Sequence, residues 1–123
     1  MLLAILVGLA AALGALARYL LDQFVGTRWE SAFPWGTWVI NVSGSFILGL
    51  ITGLAVHHGL NAHVVSVLGT GVCGGYTTFS TFNFETIRLT EDGSLAGSLG
   101  NIAGSIASGL LAGAAGLGLA LLI

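Results

Sequence analysis

The stretch Gly74-Gly75-Tyr76-Thr77-Thr78-Phe79-Ser80-Thr81-Phe82 interrupts an apolar segment that otherwise reads as continuous helix. Paired glycines and paired β-branched threonines are weak helix formers, so this pattern predicts a break at residues 74–78. A break inside hydrocarbon frees backbone carbonyl and N–H groups, which are tolerated only where protein or a water-filled cavity surrounds them. Interrupted membrane helices commonly mark ion sites. Beyond the break, Phe79, Phe82 and Glu85 recur at every third residue and line two rings and a carboxylate along one helical face. The rings have two readings. One is packing against lipid or core. The other is contact with an anion, because a ring edge carries partial positive charge and Ser80 and Thr81 bring hydroxyls beside it.

The composition around this stretch is that of a membrane protein. Of 123 residues, 55% are hydrophobic and 7% charged, and the mean hydropathy is +0.98, which excludes an ordinary water-soluble domain. Three Lys and Arg in total give no basic patch, and no phosphate-binding Gly-Lys motif is present, so nucleic acid is set aside as a partner. The single cysteine, Cys73, lies in an apolar run and reads as packing; alone it builds neither a disulfide nor a metal cluster.

Four apolar stretches follow one another at residues 2–21, 35–56, 64–89 and 95–122, each long enough to cross a hydrocarbon core of roughly 30 Å. They predict an all-α integral membrane fold, a single four-helix domain over residues 1–123 whose third helix is broken mid-membrane. Ala15-Leu16-Ala17 imitates a signal-peptide cleavage site, but no Lys or Arg precedes the apolar core, so the first stretch reads as a retained span. Gly8 and Ala12, and Ala10 and Gly14, provide small residues at spacing four for close helix contact. Arg18, near the end of this span, either snorkels to the interface or fixes a positive charge at a vestibule mouth.

The segment from Asp22 to Phe33 reads as the first loop, and Pro34 starts the second span where no N–H is needed. Trp35 and Trp38 fit an interfacial belt. Asn41 and Ser45 share a face of this span, and an intramembrane Asn serves either as a hydrogen bond between helices or as a donor lining a pore. His57, His58 and His63 lie in the second loop without carboxylate or thiolate partners and do not make a metal site. The last span repeats Gly100, Gly104, Ser108, Ala112, Gly116 and Ala120 as a long packing seam. Beside it, Asn101 and Ser105 form a row that can face the same cavity as Asn41.

Arg18, Arg28 and Arg88 fall on the side of the first and third loops and none on the second, a bias that favours termini outside. Four short glycine-rich helices are few to enclose a pore, so a second subunit is expected to complete the path.

The run Gly69-Thr70-Gly71-Val72-Cys73-Gly74-Gly75-Tyr76-Thr77-Thr78-Phe79-Ser80-Thr81-Phe82 resembles the signature of the CrcB/Fluc fluoride channels. Gly14-Ala15-Leu16-Ala17-Arg18-Tyr19 and Pro34-Trp35-Gly36-Thr37, followed by Asn41, Gly44, Ser45 and Phe46, match in the same order, and the fourth span matches only loosely. The resemblance implies an antiparallel, dual-topology dimer of four-helix subunits, with the same chain or a homologue as partner, in a prokaryotic cell membrane. It implies two fluoride pores and a central, non-transported structural sodium ion (Na+) held by the backbone carbonyls of Gly74 and Thr77. Phe79 and Phe82 then correspond to the aromatic box facing fluoride, and Asn41 to the amide donor beside the pore. Ser80, Thr81 and Ser105 correspond to a hydroxyl track, Glu85 to the carboxylate near a pore end and Arg18 to the first-span arginine. Where the family commonly has Tyr in the last span, this chain has Asn101. The implied activity is passive export of cytoplasmic fluoride, giving fluoride resistance.

The rival reading is a small proton-coupled, dual-topology multidrug or cation exporter. That mechanism needs an intramembrane carboxylate, and the first span has none before Asp22, with Glu85 the only other near the membrane. A purely structural subunit leaves the break in the third span without a purpose. An enzyme is less favoured still, because no nucleophile and base can be paired.

Overall fold

A computed structural model describes residues Met1–Ile123 as helices joined by short turns, with no strand. Helix α1 spans Leu2–Arg28 and α2 spans Trp35–His58. The third helical run, α3, covers residues 62–76, α4 spans Ser80–Glu91, and α5 spans Leu95–Leu122. Three of these, α1, α2 and α5, are long and apolar enough to cross a membrane. Only 17 of the 123 residues are buried, while large apolar side chains such as Leu13, Leu110 and Leu111 stand exposed. The hydrophobic surface thus faces outward, as expected where lipid is the solvent.

Helix α1 runs past the boundary expected from the sequence. The segment from Asp22 to Arg28, read as loop, continues the helix, because side chains support the extra turns. Gln23 donates to the Tyr19 hydroxyl at 2.8 Å, and the Arg28 guanidinium stacks 4.5 Å over the Phe24 ring. Helix α2 starts directly after Pro34, whose ring suits that position. It ends at Gly59, in the left-handed region at φ 65°, where a side chain would be strained.

The third expected span is two helices. Residues Ala62–Val65 and Gly74–Tyr76 are α-helical, and Ser66–Cys73 between them is the wider π form. Gly74 and Gly75, expected at the break, are still helical; the chain leaves the helix at Thr77, with ψ 159°, and re-enters at Ser80. Packing overrides glycine's weak propensity here. A Cβ on Gly75 would collide with the Ala11 carbonyl, and one on Gly14 would lie 2.9 Å from the Tyr76 nitrogen. Helices α1 and α3 therefore meet backbone to backbone, which holds the glycines in helical geometry.

The second close contact joins α2 to α5. A Cβ on Gly49 would strike the Gly113 carbonyl, and one on Gly116 would lie 2.8 Å from the Leu50 nitrogen. The small-residue seam of the last span is thus used only in its C-terminal half. Gly100 and Gly104 have nothing within 4 Å, and the same holds for Gly8 in α1, where Ala10 and Gly14 form the packing row instead. The two helix pairs are tied by side chains: the Ser43 and Tyr76 hydroxyls lie 2.8 Å apart across α2 and α3.

Candidate functional site

Residues Thr77 to Phe79 sit where the two helix pairs meet, and the polar groups freed there are claimed one by one. Asn41, projecting from α2, pairs with Thr78 as a second peptide strand would. Its amide nitrogen donates to the Thr78 carbonyl at 2.9 Å, and its oxygen accepts from the Thr78 N–H at 2.8 Å. Buried backbone groups demand such partners, so an Asn at this position closes the gap at both ends. An amide carries two N–H groups, and the second one on Asn41 stays available.

Around this pairing, Arg18 turns inward and donates to the Thr77 carbonyl at 3.3 Å, so the guanidinium reaches the break and does not run out to the interface. The Thr77 hydroxyl and N–H both reach back to the Cys73 carbonyl, each at 2.9 Å. Thr78 caps the next helix: its hydroxyl accepts from the Thr81 N–H at 3.2 Å and donates to the Thr81 hydroxyl at 3.0 Å. Because the Thr78 N–H is taken by Asn41, the Gly74 carbonyl loses the donor that a continuing helix would give it. Thr78 was not singled out from the sequence. Its signal is only a Thr just ahead of a helix start, without the Glu or Gln of a capping box.

Two recesses open on either side of Thr78. The first, of about 320 Å³, is lined by Asn41, Ser45, Thr78, Phe79, Phe82 and Ser105 among others. The Phe79 and Phe82 rings stack at 6.0 Å between centroids with 27° between planes. Phe79 is 74% exposed, so the recess lacks one wall. The second recess, of about 220 Å³, gathers Arg18, Asp22, Thr37, Thr78 and Thr81. Asn41, Phe79, Phe82 and Ser105 are therefore brought together, while Arg18 and Thr81 meet on the far side of Thr78.

Three expected residues stand elsewhere. Ser80 is exposed and lines neither recess. Glu85 points toward the start of α2, near Thr37, Asp22 and Arg88, and its Oε2 is buried without a hydrogen-bond partner. Asn101 does not share a cavity with Asn41. It is 1% exposed, donates to the Thr86 hydroxyl at 2.8 Å and accepts from the Ser105 hydroxyl at 3.3 Å. It ties α4 to α5 and orients Ser105. Ser105, by contrast, does join the recess of Asn41. No group of three or more His, Cys, Asp or Glu suited to a metal ion occurs.

Residues 5–117 match the family described as CrcB-like protein, Camphor Resistance (CrcB). A Streptomyces avermitilis protein is 46% identical over 113 residues, covering 92% of this chain and 91% of its own length. A Frankia casuarinae protein is 47% identical over 122 residues, covering 95% and 93%, and one from Leifsonia xyli subsp. xyli is 48% identical over 113 residues, covering 92% and 81%. All three carry the name fluoride-specific ion channel FluC 1. With a match over nearly the whole chain, this protein belongs to the CrcB family.

Proposed function

We propose that this chain is a fluoride-specific ion channel of the cell membrane, through which cytoplasmic fluoride leaves down its gradient. The observation that carries the reading is the first recess, where an amide donor, a hydroxyl and two aromatic rings converge beside an interrupted helix. Helices α3 and α4 together make the third of four crossings, with the interruption near mid-membrane, so residues 1–123 form one four-helix domain.

Fluoride is small and strongly hydrated, and taking an ion out of water is prohibitive unless fixed groups replace its shell. The second Asn41 N–H is a donor of that kind, the Ser105 hydroxyl becomes one on turning away from the Asn101 oxygen, and the edges of the Phe79 and Phe82 rings add partial positive charge. Arg18 raises the local anion concentration on the other side of Thr78. Thr81, in the same recess, and Glu85, nearer the start of α2, line the approach from that end.

A recess with an exposed Phe79 cannot carry a bare anion against lipid. The missing wall is a second subunit, the same chain or a homologue, in the opposite orientation. The carbonyls of Gly74 and Thr77 fit a structural Na+ on this axis: they are hard oxygen donors at a helix break, and two from each subunit make four. When bound, that ion supplies a fixed positive charge that draws the two breaks together. The exporter reading is not favoured, because the first recess holds no carboxylate: Asp22 lines the second recess beside Arg18, and Glu85 lies near Thr37 and Arg88.

The test is ion efflux from liposomes holding the purified chain. Fluoride efflux without chloride efflux, lost in Phe79→Ile or Phe82→Ile, is the expected result. Equal leak of both ions would refute selectivity.

A further inference from the structure

We propose that the anion path continues past Ser105 along the groove between α2 and α5, with the Ser45 and Thr52 hydroxyls as its donors. The inference rests on the channel reading above and extends it to residues on α2.

The first recess does not end at Ser105. Ser45 and Leu48 line both it and a further groove of about 380 Å³ walled by α2 and α5. On the α5 side that groove is bordered by Gly109 and Gly113 together with Leu110, Ala114 and Leu117, none of which brings a polar side chain to it. The polar groups there come from α2. Ser45 is half-buried, and its hydroxyl has no hydrogen bond within the chain, whereas Ser43, Ser105 and Ser108 each have one. A Cβ on Gly109 would lie 3.6 Å from the Ser45 oxygen, so this hydroxyl stands over the glycine at the mouth of the groove.

Two turns further along α2, Thr52 lines the same groove. Its hydroxyl rests on the Leu48 carbonyl at 2.8 Å, a local bond that a rotation about χ1 releases. The rise from Asn41 to Thr52 is about 16 Å, roughly half a hydrocarbon core, toward the end of α2 that lies away from Glu85. A hydroxyl without a partner is costly against lipid. Donating to a dehydrated anion removes that cost. Ser45 and Thr52 thus extend the line of donors that begins at Asn41, and the groove they line runs alongside the α2–α5 contact at Gly49 and Gly113.

The experiment uses the purified full chain in liposomes. If the wild-type chain passes no fluoride alone or co-expressed with a homologue of opposite orientation, the channel reading itself fails, and the reactivity arm below then judges the groove alone. Given selective efflux, Ser45→Ala and Thr52→Val are each expected to slow it by roughly tenfold, the loss of one donor to an anion, while Thr52→Ser retains it. For a readout that does not depend on rate, Thr52→Cys in a Cys73→Ala background is treated with a small charged thiol reagent. Reaction that fluoride slows, and that blocks efflux, is expected; Leu13→Cys, on the exposed face of α1, is expected to stay unmodified. Full efflux in both Ser45→Ala and Thr52→Val overturns the proposal. So does a Thr52→Cys chain as unreactive as Leu13→Cys, which would mean that lipid fills the groove. Spontaneous disulfide-linked dimers of Thr52→Cys would overturn it as well, since a second copy would then cover the groove.

Discussion

Replacing Asn41 separates its two tasks, pinning the break and donating to the anion. In Asn41→Ala the Thr78 N–H and carbonyl lose partners held at 2.8 and 2.9 Å. Leaving two buried backbone groups unsatisfied costs about 2–6 kcal/mol in all, at about 1–3 kcal/mol each. That is enough to remodel the break and lower the melting temperature in detergent. Asn41→Asp behaves differently. It still accepts from the Thr78 N–H but loses the donor to the Thr78 carbonyl, half of the pinning, and sets a carboxylate in the recess lined by Phe79, Phe82 and Ser105. Two unit charges about 5 Å apart at an effective dielectric of about 20 repel by about 3 kcal/mol, and passage slows by more than roughly a hundredfold. The assay pairs fluoride efflux from liposomes with a thermal melt of the same preparation. Asn41→Ala is expected to fall in both, and Asn41→Asp to fall far more in efflux than in melting temperature. Wild-type efflux in Asn41→Asp would refute the recess as the path, and an unshifted melt in Asn41→Ala would refute the pinning.

Two further substitutions follow from the packing. Gly14→Ala drives a Cβ into the Val72 carbonyl and is expected to destabilise by at least about 1–3 kcal/mol, whereas Gly8→Ala meets open space and is expected to be neutral or stabilising by up to about 1 kcal/mol. Thermal melts of the two variants side by side check this. Asn101→Leu removes the ties to Thr86 and Ser105, so the melting temperature is expected to drop by the equivalent of about 1–3 kcal/mol while selectivity for fluoride over chloride persists. Loss of selectivity with an unchanged melt would instead make Asn101 part of the path.

The apolar stretches were legible because lipid demands length and hydropathy, and both are local properties of sequence. Their ends were less so. Residues after Asp22 stay helical through contacts such as Arg28 on Phe24, which composition does not announce. The break expected at residues 74–78 overlaps the departure seen at Thr77 and Thr78, although glycines 74 and 75 stay helical. Their propensity is weak, yet α1 packs against them through Ala11 and Gly14, and the chain departs only at Thr77. The spacing of small residues marked Gly116 and Ala120 and also Gly100 and Gly104, although only the first pair is in contact within this chain. Periodicity identifies a face; it does not say which neighbour covers it.

The recess was legible in its residue types and not in its bonds. Asn41 in an apolar helix had two readings, a bond between helices or a pore donor, and the geometry shows that one does not exclude the other. One N–H and the oxygen are spent on Thr78, and the second N–H remains. Arg18 likewise had two readings, snorkelling to the interface or a fixed charge at a vestibule mouth, and the contact to the Thr77 carbonyl at 3.3 Å turns the guanidinium away from the first. That contact bears on the cation. A carbonyl has two lone pairs, so Thr77 can accept from Arg18 and still face a cation, whereas the Gly74 carbonyl has no claim on it from the Thr78 N–H. The two expected sodium ligands are therefore unequal: Gly74 is free, and Thr77 is shared with a positive charge. If sodium is held at this position, Arg18→Gln removes a competing cation and should tighten sodium while weakening the attraction of anions to the recess beside Thr78. Opposite signs for the two effects, read as sodium-dependent melting and as fluoride efflux, would separate electrostatics at the break from simple loss of structure, which would lower both.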